Sequence, residues 1–350
     1  MKNKKVLYTL VSIIALIVFL IYAHNNMDSY QVRILNLCAI YVILGLSMNL
    51  INGFTGLFSL GHAGFMAIGA YTTALLTMPV AVKESNFFMV PIVAPLNDVV
   101  WPFLPSLIFG GLLSAFAAFL IGAPALRLKG DYLAIATLGF GEIIRILITN
   151  AQSLTNGALG LKGIPNTTNL WWSFLIAAVT TLIMVLLINS SYGRAFKAIR
   201  EDEIAAENMG INLFKHKMLA FIIGAFFAGI GGGLLGNLLG TVDPMMFRFT
   251  LTFNILFIIV LGGMGSITGT IISAFIVTIS MEVLRFLDAS INLGFVTIPG
   301  VTGMRMVVYS ILLIVVIIYF RNGLMGTREF SWDKAIGFVK RFTPDKGGAR

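Results

Sequence analysis

Residues 217–240 read KMLAFIIGAFFAGIGGGLLGNLLG. As a helix rising about 1.5 Å per residue, the stretch is about 36 Å long, enough to cross a hydrocarbon core about 30 Å thick. Its one charge, Lys217, stands at an end. Gly224, Ala228, Gly232, Gly236 and Gly240 recur at every fourth position. Such a ladder lets two helix backbones approach closely in lipid, where dispersion contacts replace the hydrophobic drive. Ser59, Ala63 and Ala67 make a second stripe of small residues. The run Gly231–Gly236 also fits G-x-G-x-x-G. No strand precedes it and no acidic residue follows at the required distance, so it does not read as a dinucleotide site.

The rest of the chain agrees with a membrane reading. Of its 350 residues, 58% are hydrophobic and 11% charged, against about 25% charged in a soluble domain. That polar content is too small to cover the apolar material in water. A soluble enzyme, a disordered regulator and a secreted disulfide scaffold are excluded, and the single cysteine, Cys38, has no internal partner. Ten apolar stretches are candidate spans: 6–23, 31–51, 57–78, 101–123, 131–149, 171–189, 217–240, 249–262, 267–287 and 304–320. Between the eighth and ninth, Leu261-Gly262-Gly263-Met264-Gly265-Ser266 reads as a turn or a broken helix at membrane depth. Phe87–Pro95 reads as an external loop dipping towards the bilayer. The expected fold is an all-α polytopic membrane protein, about ten transmembrane helices in one bundle.

Charge gives the sidedness. The first span lacks the small residue of a cleavage site and reads as an uncleaved anchor with the N-terminus inside. Ten crossings then put residues 1–5, 52–56, 124–130, 190–216 and 321–350 in the cytoplasm, with a short turn near 264. These segments, with Lys217 at the boundary, hold seventeen of the 24 basic residues. A basic cytoplasmic side is what membrane topology requires, so the +9 net charge needs no nucleic-acid partner. Trp101, Trp171 and Trp172 fall at the external ends, where aromatic belts sit.

Chemistry is sparse. Three scattered histidines and one cysteine make no metal cluster. The phosphate-binding pattern G-x-x-x-x-G-K-[ST] is absent, so the chain has no P-loop of its own. The longest internal cytoplasmic segment, 190–216, carries a charged helix over Arg194–Met209 with Gly210 as its C-terminal stop. Lys197 and Glu201 are spaced for an i, i+4 pair. Ala195, Ile199, Ala206 and Met209 share one face. The helix reads equally as a solvated surface helix or as a docking helix. Within the spans, Glu142 lies about 16 Å into its helix with Arg145 one turn on. Glu282 with Arg285 repeats that spacing, and His62 lies shallower. These groups fit either structural pairing between helices or an ion-coupled secondary transporter; a passive channel is a third reading.

Four segments carry a resemblance. The first runs from Arg200 through Glu203-Ile204-Ala205-Ala206-Glu207-Asn208-Met209-Gly210 to Asn212. The others are Asn52–Phe65, Leu126–Ile143, and Leu261–Ser266 followed by Gly269. In this order, across about residues 35–325, they resemble the branched-chain amino-acid ABC transporter permease family, of the LivM type. Where that family often ends its last span in Arg-Pro-Gln-Gly-Leu, this chain has Arg321-Asn322-Gly323-Leu324.

The resemblance implies a permease subunit of an ATP-driven importer for branched-chain, hydrophobic amino acids, or for urea and short amides. It implies a second, non-identical permease subunit, two cytoplasmic ABC ATPases and an external substrate-binding protein. ATP and Mg are used by the partner subunits and no cofactor is bound directly, so no catalytic and no metal-binding residue is expected. The implied place is the bacterial cytoplasmic (inner) membrane, with both termini cytoplasmic. Arg194, Arg200, Glu203, Ala206, Glu207 and Gly210 are the expected ATPase-coupling residues. Ser59, Gly61, His62, Gly64, Gly139, Glu142, Gly263 and Gly265 are the expected path residues. The permease domain is taken as 1–325 with its coupling loop at 190–216. The tail 326–350 has Trp332, Ile336, Val339 and Phe342 on one helical face beside Lys334, Lys340 and Arg341, a pattern for an interfacial helix.

Overall fold

The apolar stretches fold as helices because a backbone in lipid must satisfy its own hydrogen bonds. The computed structural model describes residues 2–128, 130–285, 291–292, 297–298, 304–319, 323–326 and 329. In chain order the helices are α1 (Lys2–Asn26), α2 (Ser29–Asn49), α3 (His62–Thr77), α4 (Val80–Asn86), α5 (Phe103–Ala125), α6 (Asp131–Asn150) and the short α7 (Gln152–Thr155). They continue with α8 (Leu170–Asn189), α9 (Ser191–Glu201), α10 (Glu203–Asn208), α11 (Leu213–Leu239), α12 (Phe249–Gly262), α13 (Ile267–Val283) and α14 (Met304–Tyr319). Two-residue strand pairs are the only β structure among the described residues: β1 (Leu161–Lys162) with β2 (Thr241–Val242), and β3 (Ile291–Asn292) with β4 (Thr297–Ile298). The protein is an all-α membrane protein.

Every expected span contains a helix. Among the described residues, five reach the length and apolarity of a crossing: Ser29–Phe54, Phe103–Ala125, Asp131–Asn150, Leu170–Asn189 and Leu213–Leu239. Ile14–Asn26, α12 and α13 are apolar but shorter. The span expected from residue 57 becomes helical only at His62. Ser59 therefore precedes α3, and the expected small-residue stripe keeps Ala63 and Ala67 alone on the helix. The tail face Trp332, Ile336, Val339 and Phe342 lies outside the described residues.

The ladder helix α11 is the axis of the packing, against α2, α3 and α5. Its glycines remove the atoms that would keep the backbones apart. A Cβ on Gly232 would sit 2.1 Å from the Met66 carbonyl oxygen, and one on Gly69 2.1 Å from that of Gly229. Asn212 caps the start of α11 by accepting from Lys215 N–H, and Gly240 ends it at φ +69°. The G-x-G-x-x-G run lies inside this helix, which disposes of any strand–turn–helix nucleotide motif.

The loops gather at two ends. At one, β1 pairs with β2, Asn86 bonds both backbone groups of Lys162, and Val93 N–H donates to Ser153. The buried Lys83 ammonium holds that end by donating to the carbonyls of Leu96 and Val99 at 2.8 and 2.6 Å. Desolvation lowers its pKa while Asp98 pulls it up. At the other end, Gly53, Arg200, Gly265 and Glu329 come together through the contacts described below.

Candidate functional site: the charged helix pair and the helix breaks

The charged helix expected over Arg194–Met209 is two helices. Asp202 leaves helical geometry at φ −158°, ψ 112°, and its carboxylate accepts from Ile204 and Ala205 N–H to cap α10. An aspartate competes with the helix for backbone donors and so favours an N-cap over an interior position. Gly210 closes α10 at φ +82°, with Gly210 N–H donating to Glu207 and Ile211 N–H to Ala206. This left-handed turn is why glycine stands there. Lys197 does not pair with Glu201 as spaced; it lies 6.0 Å over the Phe54 ring, and Glu201 pairs with Arg200 at 2.5 Å.

The element is anchored from below and open above. Ala195, Phe196, Ile199 and Ala206 are buried. Glu203 forms an ion pair of 2.6 Å with Lys217, which is 6% exposed, tying α10 to the N-terminal part of α11. Arg194, Glu207 and Gly210 face solvent. Met209, expected on the apolar face, is 82% exposed, and Ile204, which sequence reasoning missed, is 73% exposed. A groove beside them is lined by Arg194, Ala198, Asp202, Ala205 and Met209. Two naked apolar side chains over a groove make a surface suited to a protein partner.

Arg200 carries this element into the membrane domain. Its Nη1 donates to the Gly53 carbonyl at 3.1 Å, and its stem packs on Gly56 at φ +75°. Gly53 belongs to a π-helical turn, Leu50–Phe54, that ends α2. The same guanidinium lies 2.6 Å from where a Cβ on Gly265 would stand. Gly265, at φ +88°, is in the turn between α12 and α13. Beneath them the fully buried Asn49 joins both breaks: its Oδ1 accepts from Gly265 N–H at 2.9 Å, and its Nδ2 donates to the Ser266 carbonyl and Thr270 Oγ1 at 2.9 and 2.8 Å. Glu329 accepts from Ile267 and Thr268 N–H at the start of α13. A carboxylate there also complements the helix dipole.

A third break precedes α3. Asn52 brackets Ser59, donating to its carbonyl at 3.2 Å and accepting from its N–H at 3.4 Å. His62 Nε2 meets Ser47 Oγ at 2.8 Å, and Ala63 N–H donates to Thr252 Oγ1 at 3.0 Å. Gly61 and Gly64 press against Thr137 and Gly141 of α6, where their missing Cβ atoms would come within 2.6 and 2.9 Å. The expected path residues thus divide into three groups. Ser59, Gly61, His62 and Gly64 are buried at the head of α3; Gly263 and Gly265 form the α12–α13 turn; Gly139 and Glu142 lie on α6. Ser47 and Asn49 of α2 touch the first two groups. Neither residue was singled out in the sequence, because a Ser and an Asn inside an apolar run carry no spacing signal. Glu142 and Arg145 pair at 2.7 Å, and Glu282 and Arg285 pair at 2.9 Å. Among the described residues no group of three His, Cys, Asp or Glu side chains is placed to hold a metal.

The sequence model of the family described as "Branched-chain amino acid transport system / permease component" matches residues 30–317. The high-affinity branched-chain amino acid transport system permease protein LivM of Salmonella typhimurium is 38% identical over 73% of this chain, and LivM of Escherichia coli is as similar. The matches cover 64% and 63% of those proteins, less than two thirds of their length. The permease protein LivH of Salmonella typhimurium is 26% identical over 83% of this chain and 92% of its own. No solved structure matches the chain.

Proposed function

Because this chain belongs to the permease-component family of branched-chain amino acid transport systems, we propose that it is a transmembrane subunit of an ATP-driven importer of branched-chain, hydrophobic amino acids. The observation that carries the mechanism is Arg200, which leaves a solvent-facing helix pair and ends on the carbonyl of one helix break beside the turn of another. A push on α9 and α10 moves a side chain seated between two interrupted helices. Interrupted helices are weak points of a bundle, so displacement concentrates there. Two cytoplasmic ABC ATPases, which bind and hydrolyse ATP with Mg, dock on the α9–α10 pair and its closing turn, over Arg194, Glu203, Ala206, Glu207 and Gly210. A second permease subunit completes the membrane unit, and an external binding protein delivers the cargo. The breaks at Ser59–Gly64 and Gly263–Gly265, with Gly139 and Glu142, flank the path. The domain is residues 1–325 with the coupling loop at 190–216, in the bacterial inner membrane with both termini cytoplasmic; the tail 326–350 lies on the membrane surface.

Radiolabelled leucine uptake by the reconstituted complex tests this reading. Uptake is expected with ATP and not without it. Uptake of urea but not leucine transfers the mechanism to short amides. Glu142→Gln is expected to keep substantial uptake, and an uncoupler to leave it intact at constant ATP. Glu142 already pairs with Arg145, and a glutamine keeps its shape and acceptor. Loss under both conditions would replace the importer by an ion-coupled carrier.

A further inference from the structure

Among the five long apolar helices, α6 is both the least buried and the least apolar. Lipid exposure demands the opposite relation, since every exposed polar group in hydrocarbon costs free energy. The exposed faces of α5 and α8 obey the lipid rule. Ile108, Leu112 and Phe116 face outward on the first, and Val179, Leu182 and Leu186 on the second. Neither helix contains a charged residue.

The exposed face of α6 is different. Tyr132, Ile135, Ile143 and Ile146 line it at spacings of three, eight and three residues. Gly139 lies on the same stripe, with nothing within 4 Å of where its Cβ would be. At its edge stand Glu142 and Arg145, whose side chains remain 27% and 21% exposed although they pair with each other. Glu142 is about 16 Å along the helix, near mid-membrane. One charge at that depth costs about 2.5–3.5 kcal/mol on insertion scales. Mutual pairing offsets part of this cost, yet the exposed remainder still asks for polar cover, which acyl chains do not offer. The apolar stripe beside it would suit lipid or protein; the ion pair decides between them.

We propose that the outward face of α6 is the surface against which the second permease subunit packs, with Glu142 and Arg145 at the seam. The proposal rests on the importer reading, in which Gly139 and Glu142 flank the path, and puts that flank where the two permease subunits meet. Gly139 is the point of closest approach, where the stripe has no side chain.

The test uses the complete complex in native membranes. A benzophenone amino acid at Ile143 or Ile146 is irradiated, and the same probe at Leu182 on α8 serves as the lipid-facing control. The expected result is an adduct with the second permease from α6 and none from Leu182. The double variant Glu142→Leu/Arg145→Leu, which suits lipid better, is expected to insert normally and to lose the second subunit on purification. Adducts from Leu182 but not from α6, adducts only between copies of this chain, or full retention of the second subunit by the double variant would each overturn the proposal. Wild-type co-purification separates the two readings. If no second permease accompanies the wild-type chain, the importer assembly and this surface both fail; if it does and α6 stays unlinked, only this surface fails.

Discussion

Helices α11 and α6 both carry glycines in apolar runs, and the structure uses them in opposite ways. On α11 the missing Cβ of Gly232 leaves room for the Met66 carbonyl, and that of Gly229 for Ser114. These glycines permit helix contact inside this chain. On α6, Gly141 meets Gly61, but Gly139 two residues earlier meets nothing within 4 Å. A glycine in a membrane helix is therefore no measure of packing by itself. What matters is whether another backbone has come into the space it leaves.

The sharpest way to break this contrast is to add one methyl group. Gly232→Ala puts a Cβ at 2.1 Å from a backbone oxygen. The Met66 carbonyl belongs to α3 and has no rotamer with which to move away, so α3 and α11 must separate. Overpacking of this kind costs about 1–3 kcal/mol, or more where backbone must shift. Detergent-solubilised protein is expected to melt lower by fluorescence size exclusion. An unchanged melting temperature would remove the close-packed half of the comparison.

Asn49→Ala probes the junction that α2 makes with the α12–α13 turn. It strands the Gly265 N–H, and it takes a donor from the Ser266 carbonyl and Thr270 hydroxyl. A buried unsatisfied group costs about 1–3 kcal/mol. Beyond lower stability, the expected signature is ATP hydrolysis that continues while leucine uptake falls. Equal loss of both would make Asn49 a packing residue rather than part of the coupling path.

Gly210→Val is expected to act locally and more weakly on the fold. A β-branched residue at φ +82° meets a left-handed penalty of about 1–2 kcal/mol. Nothing lies within 4 Å of the site of its Cβ, so the strain stays in the turn after α10. Membrane insertion should persist while ATPase co-purification declines. Normal co-purification and uptake would mean that the cap does not shape the docking surface.

These regions differ in how far the sequence discloses them. Hydropathy and length suffice for the helices, because the membrane admits few alternatives. Segment 190–216 is legible as charged and glycine-stopped, but its break at Asp202 is not. An aspartate inside a run of helix formers reads as one more surface charge until its carboxylate is seen on Ile204 and Ala205 N–H. Ser59 looked like part of a stripe at i, i+4 spacing, whereas Asn52 holds it in a non-helical approach to α3. Asn49 and Arg200 each bond a residue more than 140 positions away in the chain. No local pattern encodes such a contact. The glycine ladder was visible as a pattern, but which glycines meet a backbone is a tertiary fact.

The smallest effect belongs to the matched substitution on the other helix. Gly139→Ala adds the same methyl group as Gly232→Ala, but into open space. Within the isolated chain it removes a flexible residue from a helix interior, which favours the fold by about 0.5–1 kcal/mol. The melting temperature of the purified subunit should therefore stay the same or rise slightly. If α6 faces the second permease, the methyl enters the gap between two subunits. It then weakens their association while leaving this chain as stable as before. If α6 faces lipid, neither quantity falls. Measuring subunit stability and subunit association on this one variant separates a glycine that packs its own chain from one reserved for a neighbour.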